Sequence, residues 1–297
     1  MQTPVLVITF NRPSNTARVI SVLKSVKPQN LYVFQDGPRE GVLSDVEKCA
    51  EVRKVIESSI DWPCNVQKNY QEKNLGCGRG PYTAMSWLFQ NEEKGIILED
   101  DINPHPLFFP YMEDLLERYK DNNKIGMVSG HNLQRHYSSN KKSYYFSHET
   151  EGTWGWGTWR RVWKNFDFDI SYDYEKLDNA LKDFGIPRLC RRRHCSRYKE
   201  WMAGSRQDFW DFQFDYYLTV NHYLNIRPNS CLTSNEGDGC DATHTFVINE
   251  NYGMSVNVPL FENLRHPSAI EVDPSVRWRM LKRELHLFLK SFCHIQK

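Results

Sequence analysis

"KGIILEDDIN", residues 94–103, decides how this chain is read. Ile96, Ile97 and Leu98 form an apolar run that ends on three consecutive carboxylates, Glu99, Asp100 and Asp101. A short apolar run bounded by polar residues has the pattern of a buried strand. Adjacent carboxylates at its end repel one another, and partial desolvation worsens the repulsion. A divalent cation would remove the conflict, and such hard oxygen ligands suit Mg²⁺ or Mn²⁺. The alternative is a solvated loop that caps the next helix.

The flanking sequence supplies the rest of a sheet. Val5 to Phe10, Leu31 to Phe34, Asn65 to Tyr70 and Ile125 to Ser129 read as further strands. Between them, residues 14–25, 44–58, 80–91 and 106–119 carry helical spacing, with Ser14 a candidate N-cap. This alternation predicts an α/β fold, a mainly parallel sheet with helices on both faces. Ligands of such sheets sit beyond the carboxyl ends of the strands. Three strands deliver polar groups there: Asn11-Arg12, Gln35-Asp36-Gly37 and Glu99-Asp100-Asp101.

The second half differs. Residues 144–168 are dense in aromatics and glycine, and residues 188–201 are basic. A helix is expected over 207–223 and a strand over 224–227, followed by "SNEGDGCDATHT". From Pro274 onward, Trp278, Leu281, Leu285, Phe288 and Phe292 recur at helical spacing opposite a basic face.

Lys+Arg (38) and Asp+Glu (37) nearly cancel, so no global field favours nucleic acid. The eight cysteines form no CxxC pair, and Cys190 and Cys195 around His194 make a weak metal pattern. The opening apolar run breaks at Asn11-Arg12-Pro13 without a basic leader, and no stretch reaches membrane-spanning length. The expectation is a cytoplasmic protein with reduced thiols.

An apolar strand ending in this triplet resembles the Asp-x-Asp signature of the GT-A glycosyltransferases. The Glu-Asp-Asp form is similar to that of the Golgi N-acetylglucosaminyltransferase family that starts hybrid N-glycan branches, with its bacterial relatives. "PVLVITFNRP", "YVFQDG", "QDFWDFQFDYYL" and "NEGDGCDATHT" resemble further segments of that family, in the same order. The resemblance spans roughly residues 4–247 and implies a GT-A-like fold with an acceptor-side subregion. Residues 1–130 would be the nucleotide-sugar half, 131–272 the acceptor and catalytic half, and 273–297 a basic amphipathic helix.

The resemblance also implies roles. Asp101 would bind Mn²⁺ or Mg²⁺, which would bridge the diphosphate of a nucleotide-sugar donor. Glu99 and Asp100 would meet sugar and ribose hydroxyls. Arg12, beside Asn11, would lie near the nucleotide, and Asp36 would contact the nucleoside. Asp211 would be the general base of an inverting transfer; Asp208 and Asp215 are neighbours open to confusion with it. The donor implied is UDP-linked, with UDP-N-acetylglucosamine among the candidates. The acceptor would be a glycan or lipid-linked saccharide, in surface-polysaccharide assembly on the cytosolic face of a membrane.

Three motifs stay open between function and structure. "NLGCGRG" with Arg79 is either a nucleotide-proximal helix start or a plain strand-to-helix turn. Trp154, Trp156 and Trp159 form either an acceptor wall or a buried aromatic turn. His244 is either a further metal or diphosphate ligand or a structural histidine, and the glycines at 237 and 239 suggest a lid. The basic run reads as a solvated face. The C-terminal helix either touches a membrane surface or docks on the domain.

Two other functions fit parts of the pattern. A sugar-phosphate nucleotidylyltransferase would share the sheet but show a Gly-rich, basic loop after the first strand, where "FNRPSNT" stands. A non-catalytic glycan or sugar-nucleotide module would keep the aromatics without needing a metal carboxylate.

Overall fold

The computed structural model describes residues 1–132, 142–148, 152–203, 209–237, 254, 256–272, 278, 281–282 and 285–286. The first part alternates strand and helix: β1 (Val5–Thr9), α1 (Pro13–Val26), β2 (Asn30–Gln35), α2 (Leu43–Ser59), β3 (Asn65–Tyr70), α3 (Gly76–Asn91), β4 (Lys94–Glu99). There follow β5 (Ile102–Pro104), α4 (Phe108–Arg118), β6 (Ile125–Ser129), β7 (Tyr144–Ser147), β8 (Trp156–Trp159) and α5 (Arg160–Trp163). The rest comprises α6 (Tyr174–Asp183), α7 (Arg188–Ala203), α8 (Trp210–Val220), β9 (Leu224–Pro228), β10 (Thr233–Asn235) and α9 (Val258–Glu262).

Eight described strands form one sheet in the order β3-β2-β1-β4-β8-β6-β9-β7. β1 to β4, β6 and β9 run in one direction, and β8 and β7 oppose them. All five residues of β1 are buried, as are Leu31 to Gln35 of β2. Successive strand residues point to opposite faces, so unbroken burial means that both faces are covered. Val19, Ile20 and Leu23 of α1 and Met85 and Leu88 of α3 belong to that core. Each such side chain contributes about 2 kcal/mol of transfer free energy. A smaller apolar cluster, including Leu177, Leu181, Tyr198 and Tyr216, joins α6, α7 and α8.

The mainly parallel α/β architecture expected from the sequence is present, with three local differences. Arg12, not Ser14, is the N-cap of α1, because Pro13 occupies the first turn, where its missing N–H is harmless. α3 starts at Gly76 rather than at 80, so the glycines that read as a turn form its first turn. The aromatic stretch contributes β8, an antiparallel strand inserted between β4 and β6. Gly157 permits that insertion: a Cβ there would lie 2.9 Å from the Gly95 carbonyl and 3.0 Å from Leu116.

Candidate active site

β1, β2 and β4 end side by side, with Ile8 registered against both Phe34 and Glu99. The three polar strand ends therefore share one edge. Asp100 is buried, and its Oδ2 accepts from the Phe10 amide at 3.3 Å. The Arg12 guanidinium lies 2.5 Å from Asp100 Oδ1 and 3.3 Å from Asp101 Oδ2. Arg12 thus faces the acidic triplet, and no carboxylate of a separate ion pair competes for it among these contacts.

One guanidinium does not balance three carboxylates. Burial, then the charges of Asp101 and Asp100, push the Glu99 carboxyl up to about 8. Burial also pushes Asp100 up to about 7, although Arg12 pulls the other way. Arg12 itself is held above its ordinary value by Asp100, Asp101 and Glu99, against the opposing effect of burial. The edge is built to attract a further positive charge.

Asp211 stands in the first turn of α8. Its charge adds to the upward shift of Glu99, and its Oδ1 accepts from the Phe212 amide at 3.0 Å. The placement follows from aromatic packing. Trp156 pairs with Ile97 across β8 and β4, and its ring stacks on Trp210 at 5.4 Å. Stacking sets the first turn of α8 against β8, the strand that pairs with β4. Trp156 and Trp159 are buried, so they are core rather than an acceptor wall; Trp154 is half-buried against His131. Asp215 is buried farther along α8, and Asp208 lies outside the described residues.

Beside Asp101 runs a two-stranded ribbon of β5 and β10. The Glu236 amide donates to the Asp101 carbonyl at 2.8 Å. Glu236 also pairs with Arg18 and accepts from Asn103 Nδ2 at 2.7 Å. Gly237 then packs on the metal-candidate carboxylate itself, since a Cβ there would lie 2.5 Å from Asp101 Oδ2. His244 and the lid expected around it lie outside the described residues.

Three other candidates are engaged elsewhere. Asp36 Oδ1 accepts from Gly37 N at 2.9 Å and Leu75 N at 2.8 Å; Oδ2 accepts from Asn74 Nδ2 and Gly76 N, both at 3.0 Å. A carboxylate offers about four acceptor positions, and protein donors at the start of α3 fill those of Asp36. Arg79 pairs with the exposed Asp169 at 2.6 Å and lies over Phe168. Asn11 donates to Asp45 Oδ1 of α2 at 2.7 Å.

The donor chemistry fits a hard divalent cation held mainly by phosphate and water. Among the described residues, no group of three His, Cys, Asp or Glu side chains is arranged to hold a metal by itself. Asp101 is 17% exposed at its side chain, and Glu99 is likewise half-buried, whereas Asp100 is buried. The described cysteines Cys49, Cys64, Cys77, Cys190, Cys195 and Cys231 are free thiols. Among the described residues, no helix is long and apolar enough to cross a membrane.

No family model matches the chain, and no curated protein matches it. Among solved structures it is similar to an apo UDP-glucose pyrophosphorylase, at 8% identity over 85% of this chain and 96% of that one, with a TM-score of 0.43. It is also similar to glucosyl-3-phosphoglycerate synthase from Mycobacterium tuberculosis in complex with Mg²⁺ and UDP. There the identity is 14% over 54% of this chain and 57% of that one, with a TM-score of 0.33. The inositol-1-phosphate CTP transferase of T. maritima matches at 10% identity over 55% and 73%, with a TM-score of 0.32. At such values these likenesses assign no activity.

Proposed function

We propose that the chain is an enzyme acting on a nucleotide sugar, and that it transfers the sugar from a nucleotide-diphosphate donor to an acceptor hydroxyl. The observation that carries this reading is a strand end whose buried Asp100 and neighbouring Asp101 share the Arg12 guanidinium, next to the strand against which the Trp156–Trp210 stack sets the first turn of α8. A carboxylate base and a cation-attracting edge are the two parts that an inverting glycosyl transfer needs.

Asp101 would hold Mn²⁺ or Mg²⁺, which when bound supplies Lewis-acid neutralisation of the departing diphosphate. Arg12 fixes Asp100 and Asp101 and compensates part of their charge. Glu99 and Asp100 hydrogen-bond hydroxyls of the donor. Asp211 takes the proton of the acceptor hydroxyl at its carboxylate. Inversion of the anomeric centre is what the resemblance to the GT-A family implies. The donor of this reading is UDP-linked, and UDP-N-acetylglucosamine is the first to try. The acceptor is a glycan or lipid-linked saccharide of surface-polysaccharide assembly, with His244 a further ligand and the segment after Pro274 a candidate membrane contact.

A thermal-shift screen of nucleotide sugars with and without Mn²⁺ tests the class. Stabilisation that needs both sugar nucleotide and metal supports it. Absence of any nucleotide-linked stabilisation sinks it. Release of pyrophosphate rather than nucleoside diphosphate would move the reaction to nucleotidyl transfer.

A further inference from the structure

The basic run reads as a solvated face in sequence, but the fold gives it two unlike sides. It lies on α7, a helix of 16 residues with six Arg or Lys and one acidic residue, Glu200. The inner side is structural. Cys195 and Tyr198 are buried with Leu177 and Leu181 of α6 and Tyr216 of α8, and Arg191 pairs with Asp178 at 2.8 Å. The outer side is charged. Arg188, Leu189, Arg192, Ser196 and Lys199 are all exposed. At 3.6 residues per turn they fall within about 100° of the helix circumference.

That stripe works against the helix that carries it. Arg188 and Arg192 are like charges at i and i+4, a destabilising pair. Arg188 also opens the helix, where the macrodipole disfavours a cation, and no acidic residue stands in the first turn to offset it. None of Arg188, Arg192 and Lys199 lies within ion-pair distance of a described carboxylate. The complementary charge must come from outside the fold.

The apolar neighbours indicate its source. Leu189 is 50% exposed within the stripe, and Tyr174, at the start of the adjacent α6, is 48% exposed. Cations meet anionic headgroups, while leucine and tyrosine suit the boundary between headgroups and acyl chains. A single-stranded nucleic acid would call for stacking faces, and the stripe itself carries no aromatic side chain. We propose that the outer side of α7 docks on the anionic lipid headgroups of a membrane surface. Trp201, on the opposite side of α7, stacks on Phe212 at 4.4 Å, next in sequence to Asp211. α7 therefore stands between the stripe and the helix start that carries Asp211, a thickness of about 10 Å. Such a placement suits an acceptor carried by a lipid, although docking itself does not rest on the transfer reading.

Sedimentation of the full chain with vesicles tests this, using equal parts phosphatidylglycerol and phosphatidylcholine against phosphatidylcholine alone. Binding is expected only to the anionic vesicles, and should be lost at about 1 M salt, where the screening length is about 3 Å. The triple variant Arg188→Gln, Arg192→Gln, Lys199→Gln should bind about a hundredfold more weakly. It removes like charges from a helix surface, so it should melt no lower than wild type. Arg188→Lys with Arg192→Lys should keep the binding, because headgroups read the charge. Equal binding to both vesicles, or to neither, overturns the proposal, as does binding of a single-stranded oligonucleotide in place of vesicles. If the α7 triple variant binds like wild type, α7 is not the docking surface; loss on Arg279→Gln, Lys282→Gln and Arg283→Gln would then assign it to the C-terminal segment. None of these outcomes touches the nucleotide-sugar reading, whose own test needs no membrane.

Discussion

The ends of β2 and β4 look alike in sequence and behave in opposite ways. Asp36 follows β2 and is surrounded by two amide or side-chain donors on each oxygen. Burial raises its pKa, and the amides of Leu75, Gly37 and Gly76 offset part of that rise. Glu99, Asp100 and Asp101 end β4 with Arg12 as their shared guanidinium. One end is a closed structural joint; the other is an electrostatic deficit. A strand-end carboxylate becomes a ligand candidate only when the fold leaves its charge uncompensated.

The largest effects should test the open end. Asp211→Asn is expected to lower kcat by about 10² to 10⁴ while metal-dependent nucleotide binding persists in titrations. Asp101→Asn should abolish metal-dependent turnover with little change in melting temperature. Retained turnover in either variant would remove that residue from the chemistry.

The closed end should answer in stability. Asp36→Ala removes an acceptor shared by four donors and should cost about 3 kcal/mol, read by urea unfolding. If Asp101→Ala costs as much, the contrast between the two ends collapses. Gly237→Ala probes the ribbon beside Asp101. Its Cβ would press on Asp101 Oδ2, so turnover at limiting Mn²⁺ should fall about tenfold and recover in part at high Mn²⁺.

The pH dependence sharpens the same comparison with a smaller effect. Glu99 and Asp100 are raised from 4.5 and 3.8 to about 8 and about 7. They bind protons more tightly folded than unfolded, so the metal-free chain should lose stability as pH rises from about 5 to about 8. Mn²⁺ with UDP should recover it. Asp45 carries the opposite sign: lowered to about 2, it adds stability above its ordinary value that disappears as pH falls toward about 2. Its partner Arg39 is exposed, so that contribution is on the order of 1 kcal/mol. A melting profile flat across both windows would show that neither end senses its charge.

The parallel strands β1, β2, β4 and β6 were legible because they are buried on both faces and read as nearly continuous apolar runs. The acidic triplet was legible for the same reason, as a sharp polarity change at the end of such a run. Trp156 and Trp210 were visible only as separate aromatic motifs. Their stack, which delivers Asp211, joins β8 to a helix about fifty residues later and has no local signature. Asp45 does not stand out within the helical segment 44–58, and nothing in its neighbourhood marks it as the residue that holds Arg39 and Asn11.

By itself, the sequence determined the α/β alternation, the polar sheet edge and the carboxylates that gather there, because periodicity and polarity are local properties of the chain. Only the tertiary structure decided which of those groups are already satisfied. Asp36, Arg79 and Asn11 each found a partner far away in sequence, whereas Glu99, Asp100 and Asp101 found one guanidinium between them. Compensation of charge depends on distances in space, and those exist only once the chain has folded.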